Sequence, residues 1–297
     1  DSVIHYTNKV KEFAKATHQP KYYYFAWANR LITYYLKTSR TNIALYEVQN
    51  MLKEAQEEDD KTGLSRCYNI MSQIYTIKRF DSMAFEWRLK EIELTEKYKI
   101  ENYNISQTYA QIANYYINQK KQKEALAAVE KAIATANSST QQISAKLEFV
   151  NYYSKFGDFQ AAEKLLKECQ AAFEQDKRLE SIKKRLYNIE CLYYQQTKQY
   201  QKALEAAKMQ EKEERRLSES ILSSIHYRTQ GEIYQKMGNM NLAVKYLQMY
   251  INTDDSLKIA NEQVASSEFA TLLNVEKLNA EKKELMLQAQ EKELHNK

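Results

Sequence analysis

The stretch NYYSKFGDFQAAEKLL, residues 151–166, sets two tyrosines ahead of a glycine turn and an alanine pair behind it. Glycine is scarce, since the 297-residue chain holds four Gly and one Pro. A single occurrence would suggest an active-site turn, whereas recurrence at a fixed period is architecture. The pair Tyr153/Ala162, nine residues apart, recurs as Tyr35/Ala44, Tyr75/Ala84, Tyr116/Ala125, Tyr194/Ala203 and Tyr234/Ala243. The alanine-to-alanine steps are 40, 41, 37, 41 and 40, while the step inside each copy never changes. Variation in length therefore falls after the alanine, between copies.

Each copy reads as two helices. Apolar or small residues precede the turn at three- and four-residue steps, as in Tyr109, Ile112, Ala113 and Tyr116, and follow it likewise, as in Ala125, Val129, Ala132 and Ile133. Short polar connections such as KTSRT, NQKKQ and TKQYQ lie between them. Gly157 and Gly238 stand four residues beyond their tyrosines, where a left-handed residue closes a helix, and Asp158 and Asn239 follow as N-caps. Alanine leaves room for the tyrosine ring, so the two antiparallel helices approach closely.

Composition agrees with helices. Apolar residues make up 43% of the chain and charged residues 28%, and the scarcity of Gly and Pro removes the residues that build phosphate loops and irregular active-site loops. An ordinary α/β enzyme is not expected. No stretch approaches the roughly 18 consecutive apolar residues of a membrane span. The net charge of +5 is spread over 44 basic and 39 acidic residues without a basic block interleaved with aromatics, so this segment is not expected to bind nucleic acid.

Chemistry-bearing clusters are missing. Cys67, Cys169 and Cys191 have neither CxxC nor Cys/His spacing and read as small buried hydrophobes. His5, His18, His226 and His295 are scattered, none with a carboxylate or Cys partner at ligand spacing, so neither a metal nor a cofactor is expected. Glu57, Glu58, Asp59 and Asp60 sit at a helix end before Gly63 and read as a solvated charge run rather than an acid/base pair. Without a convergent nucleophile, base and oxyanion donor, the chain is not expected to be an enzyme.

At this level the chain resembles the tetratricopeptide repeat family. The matching features are a small residue in the first helix (Ala113, Cys191, Gly231), the tyrosine three residues on, the turn glycine (Gly157, Gly238), an aromatic two residues past it (Phe159, and Tyr200 likewise), and the alanine of the second helix. The resemblance covers about residues 20–256. Two departures are the period, near 40 rather than the usual 34 or so, and the missing consensus Trp and Pro, because Trp27 and Trp87 sit elsewhere in their copies. The resemblance implies an all-α, right-handed α-α superhelix of six helix pairs with a long C-terminal helix. It also implies that the first helices line a concave groove for a protein or peptide ligand. Residues six and two before each tyrosine, with neighbouring steps, make the candidate site: Asn29, Arg30, Arg66, Asn69, Gln73, Gln111, Asn114, Asn151, Arg185, Asn188 and Arg228. Asn and Gln amides clamp a peptide backbone, and Arg holds carboxylates in bidentate fashion. The other reading is that these polar residues only keep an exposed helix soluble. The carboxylate clamp of chaperone-binding members is not reproduced, since Asn29 and Asn69 stand where that group has lysine.

The ends differ. Residues 1–19 read as the second helix of a truncated repeat, with Val3, Tyr6, Val10, Phe13 and Ala14 on one face. Residues 257–297 read as a capping helix running into a charged helix, where Leu273, Ala280, Leu287 and Leu294 fall at intervals of seven with Leu278 and Leu285 beside them. A solvated helix and a homodimer seam both fit that pattern. With the tyrosine-rich repeats, this charged helix resembles the sensor regions of Bacteroidetes-type membrane-linked histidine kinases and helix-turn-helix regulators. That resemblance implies the sensory or regulatory part of a larger bacterial signal-transduction protein, its membrane helix and output domain lying downstream. The alternative is a free-standing scaffold or adaptor. The compartment follows: periplasmic with a downstream membrane helix, otherwise cytoplasmic.

Overall fold

A computed structural model describes residues 2–217 and 224–295, the side chains beyond residue 256 only in part. Helix α1 is Ser2–Ala16 and α2 Pro20–Ala26, with Pro20 in the first turn, where its missing N–H costs nothing. Six π-helical residues, Trp27–Ile32, join α2 to α3, Thr33–Lys37. There follow α4 Thr41–Glu57, α5 Lys61–Ile77, α6 Asp81–Tyr98, α7 Ile105–Asn118, α8 Gln122–Ala134, α9 Ser139–Phe156 and α10 Phe159–Gln175. A 3₁₀ segment, Lys177–Ile182, leads into α11 Lys183–Gln196, followed by α12 Tyr200–Leu217, α13 Ile225–Lys236 and α14 Met240–His295. No strand occurs among the described residues. Residues 1–87 with 257–297 form one compact unit and residues 88–256 a second.

The tyrosine–alanine copies coincide with the turns between paired helices, and they do so by one hydrogen-bond pattern. The N–H five residues after each tyrosine donates to that tyrosine's carbonyl: Arg40 to Tyr35 (2.8 Å), Phe80 to Tyr75 (2.9 Å), Lys121 to Tyr116 (2.9 Å), Asp158 to Tyr153 (2.9 Å), Gln199 to Tyr194 (2.8 Å) and Asn239 to Tyr234 (3.0 Å). This six-to-one bond requires a left-handed residue just before the donor. Gly157 (φ 92°) and Gly238 (φ 77°) meet that demand, and Ser39 (59°), Arg79 (61°), Lys120 (57°) and Lys198 (59°) adopt it without being glycine. The next helix then starts at once, each repeat alanine donating back to the residue four before it, as Ala125 does to Lys121 (2.9 Å) and Ala162 to Asp158 (3.0 Å).

Close packing follows the turn. Ala44, Ala84, Ala125, Ala162 and Ala203 are fully buried and Ala243 is 3% exposed, while the tyrosines are buried or half-buried. In the pair α9/α10 the core is Leu147, Val150, Ala162, Leu166 and Cys169, closed from the next first helix by Leu186, Ile189 and Tyr193. Gly231 owes its place to the same closeness, since a Cβ there would lie 2.9 Å from Leu247 Cγ. The cysteines are buried free thiols, and burial pushes Cys67 up to about 12 and Cys169 to about 11, so they act as small hydrophobes. Asp60, read as part of a solvated run, instead caps α5 by accepting from the Gly63 N–H (2.6 Å), and Glu58 accepts from the Tyr24 hydroxyl (2.9 Å).

The first unit holds two departures from the sequence pattern. On α1 the stripe residues Val3, Tyr6, Val10 and Phe13 lie outward, Tyr6 65% and Phe13 67% exposed, while Ala14 lies inward with Thr7 and Lys11. Lys11 Nζ sits 3.3 Å from the centroid of Trp27, whose Nε1–H donates to Glu47 (2.8 Å), so the Lys11 side chain rather than the exposed stripe packs where α1 is seated. On α14, Glu268 is 4% exposed and accepts from the Asn42 N–H (3.1 Å), the Ile43 N–H (3.3 Å) and Asn42 Nδ2 (2.7 Å). Helix α4 starts after Arg40 with no side-chain cap of its own, and a carboxylate remote in sequence supplies it. Of the heptad positions, Ala280 and Leu287 are exposed, and the side chains of Leu273, Leu278, Leu285 and Leu294 lie outside the described residues.

Candidate functional site

Most of the residues chosen at the six- and two-residue steps are engaged with one another or with their own helix. In the first unit Arg66 donates to Asn29 Oδ1 (3.0 Å) and stacks over Phe25, and Gln73 donates to Asn69 Oδ1 (2.6 Å). Arg30 is exposed on the π-helical segment. In the second unit Arg88 donates to Gln111 Oε1 (2.8 Å), Asn118 to Asn114 Oδ1 (3.0 Å), and Arg228 to Glu232 (2.8 Å). Asn151 is buried, its amide donating to Glu148 (3.3 Å), so it stands behind a surface rather than on it.

Arg185 and Asn188 alone among the eleven reach the cavity of the second unit, a hollow of about 470 Å³. Its wall is built by the N-terminal halves of three first helices: Gln107 and Ala110 of α7, Thr140 and Ser144 of α9, and Lys184, Arg185 and Asn188 of α11, with Gln210 of α12 at one side. The register explains why only two of the eleven appear. Gln107, Ser144 and Arg185 each stand nine residues before the repeat tyrosine, a full turn N-terminal to the steps chosen from sequence. Arg66 occupies the same step in its copy, and carrying the repeat alignment one turn further back would have found the set.

Two ion pairs, one partly buried and one nearer the surface, shape the wall. Arg185 binds Glu148, which is 3% exposed, and its Nε–H is buried without a hydrogen-bond partner. Glu214 accepts from Lys184 (2.7 Å) and contacts buried His226 (2.7 Å), and these two neighbours hold its carboxyl below the usual range against the opposing effect of burial. Both cations of the wall thus have a carboxylate behind them, and neither is a free charge. The side chains of Gln107, Thr140, Ser144, Asn188 and Gln210 make no hydrogen bond with the described residues, leaving five uncommitted neutral groups around one hollow. The lining includes no carboxylate and no aromatic ring. Among the described residues no His, Cys, Asp and Glu cluster has metal-binding geometry, and no helix is long and apolar enough to cross a membrane.

Comparison with solved structures shows the fold. The chain is similar to a tetratricopeptide repeat protein from Parabacteroides merdae, with a TM-score of 0.56 and 13% identity over 90% of this chain and 92% of that one. It is also similar to PilW, a widely conserved type IV pilus biogenesis factor, with a TM-score of 0.50 and 17% identity over 77% of this chain and 93% of that one. No family model matches the chain, and no curated protein matches it. The fold is all-α, a helical repeat of the tetratricopeptide type.

Proposed function

We propose that the chain is a non-catalytic binding module for a protein or peptide, and that it is the sensory or regulatory part of a larger bacterial signal-transduction protein. The observation that carries the first half is the cavity, where successive first helices present uncommitted hydrogen-bonding side chains to one hollow of ligand size. The second half rests on α14. Its residues 240–256 belong to the unit that holds the cavity, and Glu268 further along caps α4. A ligand that favours one placement of α14 shifts the population of that capped state, since only differential affinity moves an equilibrium.

Selection from a displayed library of random peptides tests the first half. Binders to the whole chain are expected, and Ser144→Trp, which fills the hollow, is expected to abolish them; binders indifferent to Ser144→Trp refute the site. Hydrogen exchange at the Asn42 and Ile43 amides then tests the coupling. A selected peptide is expected to change their protection, and unchanged exchange at saturation refutes a signalling role for α14.

A further inference from the structure

The chemistry of the cavity wall narrows the ligand class. Its cations, Arg185 and Lys184, are already neutralised from behind by Glu148 and Glu214. A ligand carboxylate would bring an unbalanced charge into a partly desolvated site, and a ligand ammonium would meet two cations and no acid. The missing aromatic rings remove a stacking platform for a sugar, a base or a methylated amine, and the apolar side chains of the lining are two alanines, Ala110 and Ala145, and one larger residue, Ile182. What remains is hydrogen bonding of both polarities. The amides and hydroxyls donate and accept.

Length follows from the helix spacing. Helices α7 and α9 pack together, as do α9 and α11, and two interaxial steps of about 8–10 Å span roughly 16–20 Å. An extended chain advances about 3.3 Å per residue, so that span is about five or six residues. We propose that the cavity is built for an extended peptide segment of this length whose side chains are Ser, Thr, Asn or Gln, and that it discriminates against acidic and basic segments. The proposal deepens, and rests on, the reading of the chain as a peptide-binding module.

The probe is a displayed library of random hexapeptides selected on the whole chain at low and high salt. Expected are binders enriched in Ser, Thr, Asn and Gln, with affinities that change less than about twofold across a salt range that screens charge. The double variant Gln107→Ala, Asn188→Ala removes two uncommitted side chains, so it is expected to keep its circular dichroism and to lose about tenfold or more in affinity. Enrichment of Asp, Glu, Lys or Arg, a steep loss with salt, or indifference to the double variant overturns the proposed chemistry while leaving a binding module standing. The absence of any binder to the wild-type chain overturns the binding module itself.

Discussion

Replacing Lys120 by glycine should stabilise the protein. Lys120 closes α7 at φ 57°, is exposed, and its side chain makes no hydrogen bond or ion pair with the described residues. The left-handed conformation costs an L-residue about 1–2 kcal/mol, and glycine's greater freedom in the unfolded chain takes back about 0.5–1 kcal/mol. The net gain is then about 0.5–1 kcal/mol at one turn. Ser39 (59°) and Lys198 (59°) occupy the same position in copies remote from each other, so the triple glycine variant should gain about 1.5–3 kcal/mol if separate sites add. Gly157→Ala is the converse: a Cβ meets nothing within 4 Å, so its cost is that of the φ of 92° alone, about 1 kcal/mol. The assay is urea unfolding followed by circular dichroism, read as a midpoint shift at unchanged slope. A midpoint for Lys120→Gly at or below that of the wild type refutes the claim that the six-to-one bond, rather than the residue, imposes this conformation.

Arg185→Met strips the cation from Glu148, which is 3% exposed, and is expected to cost about 3–5 kcal/mol, most of it restored in the double variant Arg185→Met, Glu148→Gln; a single-variant loss below about 1 kcal/mol would show that the pair is not the support of the wall. Lys11 is lowered to about 8, first by desolvation and against the attraction of Glu47 and Glu54, so the folded state binds fewer protons than the unfolded chain between pH 8 and 10. Stability carried by Lys11 therefore rises with pH across that window, and Lys11→Met should raise the midpoint at pH 7 and flatten the rise at pH 9.5; equal shifts at both pH values refute it. Gly231→Ala places a Cβ 2.9 Å from Leu247 Cγ and 3.3 Å from the Leu247 backbone nitrogen, an overpacking expected to lower stability by about 1–3 kcal/mol in the same urea assay, and a wild-type midpoint would mean the helices can part without cost.

The repeat was legible because packing chemistry repeats at fixed positions. A tyrosine, a turn and an alanine that is buried to within 3% exposure in every copy define a helix pair without reference to any other pair. The left-handed turn was legible at Gly157 and Gly238 only. At Ser39, Arg79, Lys120 and Lys198 the residue type says nothing of its φ, because a hydrogen bond from the following residue to the tyrosine carbonyl sets it. The candidate site was legible in kind, as polar residues on first helices, but its register was not. Which turn of a first helix faces the hollow depends on how α7, α9 and α11 cross, and seven residues, about two turns, separate Gln107 and Ser144 from Asn114 and Asn151 at the two-residue step.

By itself the sequence determined the all-α repeat and the close tyrosine–alanine seams, since these are contacts within about ten residues of one turn. Tertiary structure alone decided that Glu268 caps α4 and that the Lys11 side chain, not the exposed stripe, packs where α1 is seated. It also decided that Arg185 and Asn188 share a hollow with Gln107 and Ser144. Those are contacts between segments far apart in the chain, set by how helices pack on one another, and no local pattern records them.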